Sequence, residues 1–326
     1  MEAEVLDHTA IDAADWDKFI EESPQGMIYH KYHYISNLCT QWQAVVVRNG
    51  EQLLALMPFE AKKKYGISYS LQPVFAQYWG ICFPPMNSKI SRTYELKKQY
   101  TKLIIDKIPK RIRIFNYHFS PRFDYPLPLI WSGYKLTPRD TYQVDIAKTE
   151  EEIYAEFAEN TRRDIKKAQK AGITIQQHNH FDTLLNIGER SWGKNVKSVK
   201  PEQYQSLKKV YNHFSKTGES YLLTAQTGNG DIAAGILFFT FKDTTIYYFG
   251  GTAPEYKQSG AMSLIIWEAI KNARNNGYKV FDFDGSMIEP IERFLRGFGA
   301  VPVPYMRVRK NSLLPGNVAI RLPFSR

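Results

Sequence analysis

A chain of 326 residues is long for one hydrophobic core and suits two, and with 43% hydrophobic and 14% aromatic residues it has the apolar area to fold, which excludes a disordered chain. Its net charge of +10 leaves several partners open: a nucleic acid, a nucleotide-linked substrate, coenzyme A, an anionic membrane surface, or a basic surface that serves solubility alone. Two cysteines, Cys39 and Cys82, exclude a disulfide framework, and no apolar run approaches the roughly 20 residues of a membrane-spanning helix.

The amino terminus, MEAEVLDHTAIDAADWDKF, is acidic and lacks the basic start and apolar segment of a secretory signal, so a cytoplasmic location is expected. A helix is predicted over Asp12 to Glu22. Two strands follow, WQAVVVRNG and EQLLALMPFEAKK, joined at Asn49-Gly50, a pair that tolerates the positive φ of a tight hairpin. The aromatic and Pro-rich GISYSLQPVFAQYWGICFPP reads as strand and loop. A helix over about Ser91 to Lys107 and a strand near RIRIFNYHF complete a mixed α/β first half.

In the second half a short strand, TYQVD, leads to Thr149, a helix cap followed by acidic residues. Ile153, Phe157, Ile165 and Ala168 give broken helical spacing up to Gly172, where a strand begins. A helical stretch near Gln203 to Ser215 precedes three strands, SYLLTAQT, IAAGILFFTF and TTIYYFGG, with turns at Gly228, Gly230, Lys242 and Asp243. An amphipathic helix, GAMSLIIWEAIKNARNNG, then feeds the strand YKVFDFDGS.

Three segments carry a resemblance: NTRRDIKKAQKAGITI, GAMSLIIWEAIKNARNNGYKVFDFDGS and IERFLRGFGAVPVPY, together spanning most of residues 150 to 305. In these the chain resembles the Fem-type (FemABX) aminoacyltransferases and the GNAT-like acyltransferases related to them. In the first half the resemblance is weaker and rests on YHKYHYISNL, the hairpin and QYWGICFPP. The resemblance implies an α/β (α+β) fold of two tandem GNAT-like domains with mixed, mostly antiparallel sheets. The expected domains are 1–143, with the tail 303–326 free to return to it, and a catalytic domain at 144–302. It also implies transfer of an acyl or aminoacyl group to an amine, with a cell-envelope precursor as one acceptor. No cofactor is expected; the donor is a co-substrate, aminoacyl-tRNA or alternatively acyl-CoA. The amine acceptor could be nucleotide- or lipid-linked, and peripheral membrane contact stays open. A coenzyme A- or acyl-carrier-protein-dependent N-acyltransferase on a sugar or lipid precursor is the alternative enzyme. A non-catalytic RNA-binding protein is the third reading, although no RNA-binding motif is present.

In GNAT acetyltransferases a Gly-rich turn at a helix amino terminus holds the coenzyme A pyrophosphate, because backbone N–H groups and the helix dipole face the anion. The matching stretch is Lys257-Gln258-Ser259-Gly260-Ala261-Met262, in which Lys257, Gln258 and Gly260 are the donor-binding candidates. Lys257 departs from the usual Arg or Gln, and Met262 adds bulk, so weak coenzyme A binding is expected. The competing reading of Gly260 is a plain turn glycine.

Arg162, Lys166 and Lys170, at i, i+4 and i+8, share a helix face that could attract phosphate or simply be solvated. Lys200, four residues before Tyr204, stands where the family tends to carry an Arg that contacts acceptor phosphates. In YKVFDFDGS alternation directs Asp282 and Asp284 to one side, with Ser286 just beyond. Asp284 is the candidate acceptor of the amine proton, against a reading in which one Asp caps the turn and the other pairs with an Arg. Arg293 and Arg296 could hold donor phosphates or stabilise the oxyanion. Of Tyr247 and Tyr248 only one can line a cleft, because alternation faces them oppositely; Tyr248 is taken as the catalytic candidate. His178 and His180 lack a third ligand at metal spacing, so no metal is expected.

Overall fold

A computed structural model describes residues 1–178, 180–191 and 199–313. The chain divides into two units, Met1–Pro138 with the segment from Tyr305 onward, and Arg139–Pro304.

In the first unit β1 (Glu2–Asp7) leads to α1 (Ala13–Glu22), whose start is fixed by Asp12, its carboxylate accepting the N–H groups of Ala14 and Asp15 at 2.9 Å each. After α2 (Tyr32–Leu38) come β2 (Gln43–Asn49) and β3 (Gln52–Phe59), joined as expected through Gly50 at φ +59. These strands form an antiparallel sheet in the order β1-β2-β3. A short hairpin, β4 (Lys62–Lys64) and β5 (Ile67–Leu71), precedes α3 (Ile90–Lys107), β6 (Ile112–His118) and α4 (Leu127–Trp131). β5 and β6 are parallel, with α3 in the connection between them. Trp42, Trp79, Tyr29, Tyr34 and Tyr78 are wholly buried, so the first core is largely aromatic.

β7 (Lys135–Asp145) carries the chain into the second unit. Thr149 closes a capping box with Glu152 and starts α5 (Glu150–Ala155), followed by α6 (Glu159–Lys170). The sequence gives no Gly or Pro at the break between them. Phe157 lies in the break, its ring 5.3 Å from both Trp267 and Phe298. Next come β8 (Thr174–His178), α7 (Phe181–Ser191), which the sequence reading missed, and α8 (Pro201–Phe214). β9 (Ser220–Gln226), β10 (Ile232–Phe241) and β11 (Thr244–Thr252) form an antiparallel meander. α9 (Ala261–Asn275) and β12 (Val280–Asp282) follow, and then α10 (Glu289–Arg296) and β13 (Val301–Asn311).

The strands of this unit run in the order β7-β12-β11-β10-β9-β8. The expected strand YKVFDFDGS shortens to Val280–Asp282, because Asp284 and Gly285 take positive φ values of +59 and +77. Against one sheet face Ile236, Phe238, Phe281 and Phe283 pack on Leu264, Ile265 and Ile270 of α9. The Pro-bearing VPVPY opens β13, whose residues Arg307–Asn311 pair antiparallel with β6 in the first unit. The architecture is a mixed α/β one with mostly antiparallel sheets.

Candidate active site

The site begins where a parallel strand pair parts. β11 and β12 stay in register for three positions, Thr244 with Val280, Thr245 with Phe281 and Ile246 with Asp282. Beyond them β11 continues beside β10 to Thr252, whereas the chain after Asp282 follows β7, the Phe283 N–H donating to the Tyr142 carbonyl at 2.9 Å. The two carboxyl ends therefore fork. α9 connects them and starts just after the β11 end, which brings the positive end of its dipole to the same side of the sheet. At the base of the fork the Tyr247 and Phe283 rings lie 5.9 Å apart.

Tyr247 belongs to the core on the α9 side, and burial pushes its hydroxyl up to about 12. Tyr248 faces the opposite way, edge-on to Phe239 at 5.0 Å, and stays half-buried. Tyr204 of α8 approaches Phe249 at 6.4 Å, which sets the start of that helix beside the part of β11 beyond the fork. Lys200 caps this start, its backbone N–H donating to Gln203 Oε1 at 2.9 Å, and its side chain is exposed.

On the other branch, Asp282 is 1% exposed and its carboxylate is occupied. Thr141 Oγ1 donates to it at 2.5 Å, Gln143 Nε2 at 2.7 Å and the Asp284 N–H at 2.8 Å. Asp282 thus braces the turn, accepting from two side chains of β7 and from the backbone beyond it. Alternation also fails to put Asp284 beside it, since extended geometry ends at Asp282. Asp284 is half-buried in the left-handed region, which a short polar side chain tolerates better than most. Gly285 passes so close to β7 that a Cβ there would meet the Asp140 carbonyl oxygen at 2.8 Å. Ser286 accepts the Ile288 N–H at 3.1 Å and shapes the approach to α10.

Arg293 and Arg296 both lie exposed on α10. Arg296 donates to Glu292 at 3.0 Å with its own side chain 63% exposed, a solvated pair that leaves most of its guanidinium donors for other partners. It also lies near Tyr142, whose hydroxyl is pushed up by burial and by Glu292 and Asp140, with Arg296 opposing.

At the start of α9, Gly260 has φ +80, and a Cβ there would stand 2.1 Å from the Asp164 carbonyl oxygen of α6. Glycine is required here by two packed backbones. Ser259 Oγ accepts the Ala261 N–H at 3.2 Å and donates to the Tyr256 carbonyl at 2.6 Å. Lys257 and Gln258 are exposed, and the Gln258 carbonyl accepts a hydrogen bond from Lys167 Nζ at 2.5 Å. Lys167 is the residue the sequence reading passed over: it lies in the basic run but off the Arg162, Lys166 and Lys170 stripe. Of that stripe, Arg162 donates to the Ala155 carbonyl at 3.1 Å and clamps the junction of α5 and α6, whereas Lys166 and Lys170 are exposed. Among the described residues no group of three His, Cys, Asp or Glu side chains could hold a metal ion.

Residues 155–289, which contain the fork, α6 and the start of α9, match the acetyltransferase (GNAT) domain family. No curated protein sequence matches the chain at a significant level. Among solved structures, FemX shares 14% identity at a TM-score of 0.65, covering 94% of this chain and 97% of that one. L-PGS from Bacillus licheniformis shares 12% at 0.56, with 93% of each chain covered. A tandem GNAT protein from the clavulanic acid biosynthesis pathway shares 9% at 0.57, covering 97% of this chain and all of that one. The second unit thus contains a GNAT domain. The chain as a whole has the Fem-type, GNAT-like fold. No helix among the described residues is long and apolar enough to cross a membrane.

Proposed function

We propose that this protein is an N-acyltransferase that moves an aminoacyl group, or more broadly an acyl group, onto an amine at the β11/β12 fork. The observation that carries the reading is the fork itself: two parallel strands part within the GNAT-matching segment, and the helix joining them begins at the open end. An extended acceptor or donor can enter between the strands and bond to their freed edges. The amine nitrogen attacks the donor carbonyl and forms a C–N bond. The tetrahedral intermediate then collapses with loss of a ribose hydroxyl or a thiol, which leaves with a proton. Asp284 takes the amine proton, Arg296 neutralises charge on the donor or the oxyanion, and Tyr248 lines the acceptor side.

Aminoacyl-tRNA is the preferred donor. The turn before α9 is occupied by protein, with Asp164 against Gly260 and Lys167 bonded to Gln258, and Met262 adds bulk, which disfavours a compact pyrophosphate there. The exposed Lys166 and Lys170 and the net charge of +10 suit a longer polyanion. FemX and L-PGS support an aminoacyl branch at the level of fold, and an acceptor on a cell-envelope precursor follows the same likeness. Acyl-CoA is the second reading, favoured by the helix start at the fork and by the fold shared with the tandem GNAT protein.

Calorimetric titration of the purified protein with acetyl-coenzyme A and with charged tRNA tests the donor. Charged tRNA is expected to bind at micromolar concentration or tighter and acetyl-coenzyme A much more weakly. A dissociation constant near 1 μM for acetyl-coenzyme A, about 8 kcal/mol of binding, reverses the order of the two readings.

A further inference from the structure

The five residues of α4 are oriented against the usual rule for a surface helix. Leu129 is buried, at 2%, and Pro128 is also buried, which anchors the helix to the first unit. The face at i, i+3 and i+4, Leu127, Ile130 and Trp131, points outward at 43, 47 and 61% exposure. An apolar stripe turned to water has no folding advantage. The surface continues onto α3: the Tyr94 and Tyr125 rings meet at 4.8 Å with their planes tilted by 52°, and one turn before Tyr94 lies Ile90, 75% exposed. Lys98, one turn further along the same α3 stripe, holds its ammonium 5.9 Å from the Trp131 ring.

The charges around this patch are mainly positive. Lys89, Arg92, Lys98, Lys102 and Lys135 are exposed on or beside α3 and α4, against Glu95 and Asp106; Asp124 is paired with Lys97 at 2.7 Å. Exposed aliphatic tips, an exposed Trp and a pair of Tyr rings, flanked by long cationic side chains, match the interface of an anionic bilayer, where aromatic rings sit among headgroups and lysines reach the phosphates. A stable protein partner needs about 20 residues a side, far more than four exposed apolar side chains and a basic rim supply. We infer that α4 and the first turn of α3 form a peripheral docking surface for anionic membranes, with Ile90, Leu127, Ile130 and Trp131 inserting and the surrounding lysines contacting phosphate. The inference rests on this surface alone and stands or falls independently of the acyl-transfer reading.

The test is cosedimentation of the full chain with vesicles of equal parts phosphatidylglycerol and phosphatidylcholine, beside pure phosphatidylcholine, at about 0.1 M salt, where the Debye length is about 10 Å. Binding is expected to the anionic vesicles and not to the neutral ones. Ile130→Ser with Trp131→Ala should lower partition about 10-fold or more, and Lys98→Gln and Lys135→Gln about 5-fold each. All four side chains project from the surface, and circular dichroism checks that the variants fold. Trp131→Phe is the milder control: it should keep binding but lose the part of the tryptophan fluorescence that brominated phosphatidylcholine quenches in the natural protein. Absence of anionic vesicle binding, or binding that depends on the lysines and is unchanged by the Ile130 and Trp131 substitutions, overturns the inference.

Discussion

The Asp282 carboxylate accepts the backbone N–H of Asp284 at 2.8 Å, so one aspartate fixes the main chain of the other. Buried carboxylates need their lone pairs filled, and Thr141 and Gln143 of β7 fill the rest. The brace ties β12 to β7 at the point where the fork opens.

Removing the brace should therefore cost both stability and geometry. Asp282→Ala leaves the Thr141 hydroxyl and Gln143 amide without their acceptor, and about 2 kcal/mol or more of stability is expected to be lost, read by urea denaturation. Asp284→Asn should leave stability nearly unchanged, because Asn also tolerates the left-handed conformation at φ +59. Its effect belongs to the chemistry: if Asp284 accepts the amine proton, turnover falls about 100-fold or more in steady-state kinetics. Near-natural turnover in a folded Asp284→Asn protein removes Asp284 from the mechanism.

Gly260 and Gly50 both have positive φ but should respond differently to Ala. At Gly50, φ +59, nothing lies within 4 Å of an added Cβ, so the cost is the conformational one, about 1 kcal/mol. At Gly260 the same conformational cost is joined by a contact of 2.1 Å with the Asp164 carbonyl, which forces α6 and α9 apart. Gly260→Ala should lose clearly more stability than Gly50→Ala and should weaken donor binding. Equal losses in paired denaturation curves would mean the two helices slide apart freely.

Much of this was legible in the sequence. The first helix, the Asn49-Gly50 hairpin, the Thr149 cap and the three strands ending in YYFGG follow from local rules, because the determining residues are neighbours in the chain. The likeness in NTRRDIKKAQK and the strand-helix-strand order carried the fold. What stayed hidden depends on contacts distant in sequence. Phe157 packs on Trp267 and Phe298; Asp282 braces Thr141 and Gln143, which lie 141 and 139 residues away; the Lys167 ammonium meets the carbonyl of Gln258. No spacing rule within a segment reveals these. Arg162 adds a contact that the stripe does not reveal, its guanidinium donating to the Ala155 carbonyl.

Asp17 supplies a pH dependence. Burial raises its carboxyl above the ordinary range, and the Tyr32 N–H at 2.7 Å, together with Lys31, offsets this in part. A carboxyl with a raised folded pKa holds its proton more tightly in the native state than in the unfolded one. Its contribution therefore improves as pH falls through the raised value, and the gain is complete below the ordinary carboxylate value. Asp17→Asn keeps an oxygen for the Tyr32 N–H and removes the ionisation. The stability difference between the natural protein and Asp17→Asn should shift in favour of the natural protein as pH is lowered through that window. A difference independent of pH would show that Asp17 is effectively solvated.

The lysines of α6 offer a test that separates phosphate contact from loop support. Lys166 and Lys170 are exposed, whereas the Lys167 ammonium is held by the Gln258 carbonyl at 2.5 Å. If tRNA is the donor and lies along this helix, Lys166→Ala and Lys170→Ala should each weaken charged tRNA binding and reduce the slope of log affinity against log salt by about 0.7 to 0.9, the amount of one lost phosphate contact. Lys167→Ala should weaken binding while changing the slope less, because it acts through the turn before α9. Replacing Lys167 with Gln, which can still donate to the Gln258 carbonyl, should restore part of the affinity without restoring charge. Measured by filter binding over a range of salt concentrations, equal slope changes at all three positions would make Lys167 a phosphate contact as well. No slope change at Lys166 or Lys170 would take the tRNA off this face and favour acyl-CoA as the donor.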